Sequence, residues 1–145
     1  MVTFIHKYAE SIFRVFLSLI FIVAGINHLL MTGNIVQKMT AAPLGALLAN
    51  YLPPGFLIIG GGILLFIGGA LLLMGKQTRW ASLLLLALII PITIIVQTQG
   101  LSTIGPFFKN IGLMGGLIYF AARGEEVRNE TAKYQHYSKS KPLIQ

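Results

Sequence analysis

Apolar residues in this chain run in long unbroken blocks, not in the alternation of a soluble amphipathic helix. Four blocks, residues 12–31, 54–74, 80–97 and 105–122, each reach the roughly 17–25 residues that a helix needs to cross a hydrocarbon core. The pattern predicts an all-α integral membrane protein, a bundle of four transmembrane helices with a long first outer loop. The first block is too long for the apolar core of a cleavable signal, and no small-x-small site follows it, so it is read as a span. Residues 1–11 are then an N-terminal segment, 12–122 the membrane domain and 123–145 a basic tail.

The polar connections differ in length. Residues 75–79 form a tight turn, which makes the second and third helices antiparallel neighbours. Residues 98–104 are also a short connection, and Pro106 falls near the start of the last helix, where its missing N–H costs nothing. Residues 32–53 are longer and partly apolar. There Pro43 is placed to open a short helix with Leu44, Leu47, Leu48 and Tyr51 on one side, a flap lying in the interface or an ordinary extracytoplasmic loop. The tail after Arg123 is expected to extend the last helix before it frays.

Charge sets the direction. Lys7, Arg14, Lys76, Arg79, Arg123, Arg128, Lys133, Lys139 and Lys141 fall on one side of a four-pass chain, and only Lys38 and Lys109 on the other. Because the Lys/Arg bias orients membrane proteins, both termini are expected in the cytoplasm. Arg14, Arg79 and Arg123 are expected interface anchors.

Composition narrows the chemistry. Charged residues are 10% of the chain, against about a quarter in soluble domains, and the net charge of +7 suits anionic lipid better than nucleic acid. With no cysteine, thiol redox chemistry and Cys-ligated cofactors are excluded for this chain itself. His28 is the single histidine within the spans, so a bundle haem would lack a second imidazole, and no metal site is expected.

Glycines in the second helix repeat by sevens. Gly55, Gly62 and Gly69 form one row and Gly61, Gly68 and Gly75 the next, and Gly112 and Gly116 give the last helix a G-x-x-x-G. Small residues let helix backbones approach in lipid, where no hydrophobic force drives association. These glycines are expected to serve packing. Pro91 should disturb the third helix near mid-membrane, with Thr93 nearby to take up polar load.

Arg14, Ser18, Phe21, Gly25 and His28 are spaced by three and four and share one helix face. In the four-pass topology Asn27, His28, Gln97, Lys109 and Asn110 come to one level near the outer mouth, above an apolar interior. An ionised side chain at membrane depth costs about 2.5–3.5 kcal/mol on insertion scales, so Lys109 calls for a use. It is either a headgroup anchor or a ligand contact. These five residues are the candidate ligand-binding set. A channel would want ionisable groups spread through the membrane thickness, so a small-solute permease is disfavoured.

The segment Arg14-Val15-Phe16-Leu17 leading to Ala24-Gly25-Ile26-Asn27-His28-Leu29, the loop reaching Pro53 and Gly55-Phe56, the turn Gly75-Lys76-Gln77-Thr78-Arg79-Trp80 and the closing run from Phe107 to Gly116 together resemble the DoxX/DoxD-like small membrane proteins. That resemblance covers about residues 12–122. It implies a four-helix bacterial inner-membrane protein, in some relatives linked to quinone-dependent sulfur oxidation and in others to complexes that handle oxidative stress. The expected partners are membrane lipid, a quinone and a redox protein. Where relatives often carry an acid early in the second helix, this chain has Ile58-Ile59-Gly60-Gly61-Gly62, which leaves Lys109 without an internal counter-ion. Two functions stay open: a quinone-associated redox accessory, with His28 and Lys109 on the quinone carbonyls, and a non-catalytic scaffold or lipid-binding subunit.

Overall fold

A computed structural model describes residues 2–96 and 103–140, with side chains over 8–96 and 103–123. The described chain is helical: α1 (Val2–Leu30), α2 (Thr32–Thr40), α3 (Pro43–Ala49), α4 (Pro54–Met74), α5 (Thr78–Val96) and α6 (Ile104–Ser140). Three stretches, Tyr8–Leu30, Pro54–Met74 and Thr78–Val96, are long and apolar enough to cross a membrane, and only 22–28% of each is buried within the chain. Exposed positions along these stretches, including Val15, Leu19, Ile63, Ile67 and Ile90, present aliphatic surface that suits lipid. The predicted span at 105–122 lies inside α6, which is not among the three: Lys109, Asn110, Pro106 and four glycines dilute its apolar content.

The tightest seam joins α1 and α4. The α1 face foreseen from spacing is the one that packs: Ser18, Phe21 and Gly25 are buried, and Arg14 and His28 are half-buried. A Cβ added to Gly25 would lie 2.7 Å from the Gly62 carbonyl oxygen and the Phe66 nitrogen, and one on Gly62 would lie 2.7 Å from His28 Cβ. Further along, Gly69 meets Ile22 and Ser18, and Gly75 meets the Arg14 guanidinium. These glycines let two backbones come closer than side chains would permit.

The glycine rows divide between neighbours. Gly62, Gly69 and Gly75 face α1, while Gly68 receives Leu85 of α5; Gly55, Gly60 and Gly61 have open space where a side chain would be. In α6, Gly116 meets Phe13 and Leu17, but Gly112 has nothing within 4 Å. Half of the expected G-x-x-x-G is therefore a contact.

Gly75 closes α4 in the left-handed region at φ 69°, its N–H bonded to the Leu72 carbonyl, and the chain reverses directly into α5. A left-handed residue favours glycine because it lacks a Cβ. α5 runs unbroken through Pro91, and its buried stripe, Ala81, Ser82, Leu85, Ile89 and Thr93, meets α4 and α6. The shared core is Leu17, Phe21, Leu65, Leu72, Leu85, Ile89, Leu113, Leu117 and Phe120.

At the other end, α2 and α3 form a flap. Pro43 starts α3 as expected, but α2 is an added helix, recognisable afterwards in the half-buried Ile35 and Val36 with buried Met39. The side of α3 that packs is the small one. Ala42 and Gly45 are buried against Met39 while Leu44, Leu47 and Tyr51 are exposed. The flap rests mainly on α4 and α5.

Candidate functional site

The helices succeed one another around the bundle as α1, α4, α5 and α6, so the remaining seam is α6 against α1. It is closed at the tail end by side chains. Phe13 lies with ring centroids 5.4 Å from Phe120 and 6.2 Å from Tyr119, and Arg123 Nε donates to Glu10 Oε2 at 3.1 Å. These aromatic rings hold the two helices apart. Gly116 admits the edge of Phe13, but one turn further Gly112 offers no side chain to fill the gap.

The result is an open groove of about 490 Å³ lined by Phe16, Leu19, Ile20, Val23, Ala24 and Asn27 of α1 and by Lys109 of α6. Its wall is apolar from Phe16 to Ala24. Asn27 and Lys109 supply the polar groups, toward the end where the flap lies. Among the described side chains no carboxylate faces them: of the chain's four acids, Glu10, Glu125, Glu126 and Glu130, the described one is Glu10, and it sits 17 residues before Asn27, about 25 Å down α1 at 1.5 Å per residue.

Lys109 and Asn110 are adjacent in sequence but about 100° apart on the helix, and they part company. Lys109 is exposed in the groove. Asn110 is 5% exposed and its Nδ2 donates to Thr93 Oγ1 at 2.8 Å, whose hydroxyl in turn donates to the Ile89 carbonyl at 2.6 Å. Asn27 and His28 divide in the same way. His28 lies against Gly62 of α4 with its Nδ1 2.7 Å from the Ala24 carbonyl. A carbonyl only accepts, so Nδ1 donates in this contact. Of the five candidates, the groove brings together Asn27 and Lys109; His28 and Asn110 face other helices, and Gln97 lies outside the described residues.

The family model described as DoxX matches residues 9–98. The chain belongs to the DoxX family. No curated protein and no solved structure matches it. The matched segment of this DoxX protein spans α1 to the end of α5, so the α1 wall of the groove lies within it and Lys109 lies beyond it.

Two polar atoms are buried with no partner among the described residues, Arg14 Nε and Ser82 Oγ. Arg14, expected as an interface anchor, lays its guanidinium against Gly75 at the C-terminal end of α4, where a cation is favoured by the helix dipole. Arg123 is tied to Glu10, and Trp80, 67% exposed beside Arg79, is placed as an interface aromatic. Ser82 was not singled out from the sequence, although it lies on the 82, 85, 89 and 93 stripe that marks the buried face of α5. The Glu10–Arg123 pair carried no local signal, because its partners are 113 residues apart.

Proposed function

We propose that this DoxX protein is a non-catalytic membrane subunit that seats an amphipathic lipid in the groove between α1 and α6. One observation carries this: an apolar wall opens sideways between two helices and ends in two nitrogen donors, Lys109 and Asn27, with no acid among the described residues that line it. Lateral openings of that kind admit a chain from the bilayer without exposing it to water. Lys109 is the one titratable side chain among the described residues lining the groove, with no second such group beside it to exchange a proton, so binding and presentation suit it better than turnover. We take α6 as a fourth crossing in a bacterial inner membrane, with both termini cytoplasmic. Its helix then continues about 25 Å beyond Arg123 at 1.5 Å per residue, an arm suited to recruiting a redox partner.

A second reading, a quinone-associated redox or oxidative-stress accessory, is favoured by the donors themselves, since an ammonium and an amide can both hold a quinone carbonyl. The pair would be Lys109 with Asn27, because His28 faces α4. Without cysteine, the bound quinone would have to carry the electrons. Organic extracts of the purified protein separate the two readings. Co-purified phospholipid that falls in Val23→Phe, which narrows the groove, supports the lipid subunit; stoichiometric quinone that falls in the same variant supports the redox accessory. Extracts unchanged by Val23→Phe would remove the groove from consideration.

A further inference from the structure

We infer that the groove takes an anionic phospholipid, with its phosphate on Lys109 and Asn27 and one acyl chain along α1. This rests on the groove being a lipid seat, as proposed above, and adds the chemistry of its occupant.

Length is the first argument. From Phe16 to Asn27 the α1 wall spans eleven residues, about 16 Å at 1.5 Å per residue, and half of a hydrocarbon core is about 15 Å. The groove is therefore about as long as the half-bilayer that one acyl chain fills, and Phe13, against Phe120, closes it at the tail end. One acyl chain fits that length, with its headgroup at the level of the two donors.

Charge is the second. The spans between residues 12 and 122 contain no Asp or Glu, and the chain's described acid, Glu10, is bonded to Arg123 at the far end. A quinone carbonyl or a zwitterionic headgroup with its own ammonium leaves the Lys109 charge uncompensated. A phosphodiester with net negative charge neutralises it, and ionic hydrogen bonds of this kind are about twice as strong as neutral ones. Asn27 adds an amide N–H that a second phosphate oxygen can accept.

Access is the third. The flap rests mainly on α4 and α5, and Phe16, at the foot of the groove, is 66% exposed. The α1–α6 side is the one left open to lipid.

The test uses full-length protein in nanodiscs of equal phosphatidylglycerol and phosphatidylcholine, released into detergent and read by native mass spectrometry. Wild type is expected to retain phosphatidylglycerol over phosphatidylcholine by about five-fold, the effect of one basic residue near a membrane surface. Lys109→Gln is expected to lose the preference, Lys109→Arg to keep it, and Val23→Phe to retain less of both lipids. No preference in wild type, or an undiminished one in Lys109→Gln, overturns the phosphate assignment while leaving the groove as a lipid seat. Retention unaffected by Val23→Phe overturns the seat itself and the assignment with it.

Discussion

Asn110 donates to Thr93 across the α5–α6 interface at 2.8 Å, and both side chains are buried. Thr93 passes the polarity on to the Ile89 carbonyl, two residues before Pro91, which can give no N–H to the carbonyl of Ala87. This polar link between the helices thus sits beside a weak point of the α5 backbone ladder. Interhelical hydrogen bonds in membranes average about 0.6 kcal/mol and reach about 1.7. Thr93→Val and Asn110→Leu should each destabilise the protein, and the double variant should lose less than their sum, with a coupling of about 0.5–1.5 kcal/mol. Unfolding in mixed micelles measures the cycle, and strict additivity would show the bond to be energetically silent.

The seam between α1 and α4 should be intolerant where the seam between α1 and α6 is not. A methyl on Gly25 would press on backbone atoms of α4 at 2.7 Å, and backbone cannot swing aside as a side chain can. Gly25→Ala is expected to cost about 1–3 kcal/mol, the usual range for an overpacked core. Gly112→Ala meets open space and gains helix propensity, worth up to about 1 kcal/mol, so it should be neutral or stabilising. Thermal denaturation in detergent compares them. Equal losses would mean that Gly112 is covered in the native membrane, by a second chain or a tightly held lipid.

Much of this architecture is legible in the sequence because membrane spans and helix faces are local properties. The spacing of Arg14, Ser18, Phe21, Gly25 and His28 is enough to name the packed face of α1. Heptad glycines announce close approach, yet nothing local says that Gly62 meets α1 while Gly68, six positions on, meets α5. The candidate site was less legible for the same reason. Asn27 with His28, and Lys109 with Asn110, are neighbours in sequence that face different helices, and which one turns inward depends on a distant partner such as Thr93. The groove itself arises from the bulk of Phe13 against Tyr119 and Phe120, a pairing across the whole chain.

Ser82 offers a separate check on the interior. Its hydroxyl is fully buried and has no partner among the described residues, whereas Ser18, equally buried, bonds the Val15 carbonyl at 2.9 Å. Removing a buried polar group that has no partner relieves its desolvation, a penalty of about 1–3 kcal/mol. Ser82→Ala should therefore raise stability, while Ser18→Ala should be neutral or lower it. A loss of stability in Ser82→Ala would mean that the hydroxyl does find a partner in the membrane, and an extract of that variant would then show whether a bound molecule left with it.

The absence of cysteine makes orientation measurable with single introduced thiols. Gln37 is exposed on α2 of the flap and Lys76 is exposed in the turn between α4 and α5, at opposite ends of the bundle. In a four-pass chain nine of the eleven basic residues lie on the Lys76 side, and that bias predicts a cytoplasmic position for it. On intact spheroplasts an impermeant maleimide should label Gln37→Cys directly and Lys76→Cys only after lysis. Ser138→Cys, near the end of α6, tests the fourth crossing: with α6 across the membrane it labels only after lysis, like Lys76→Cys. Labelling of Ser138→Cys from outside, with Lys76→Cys still protected, would leave three crossings. Lys109 would then be at the surface, where a lysine costs nothing, and the case for an anionic lipid in the groove would lose its electrostatic basis.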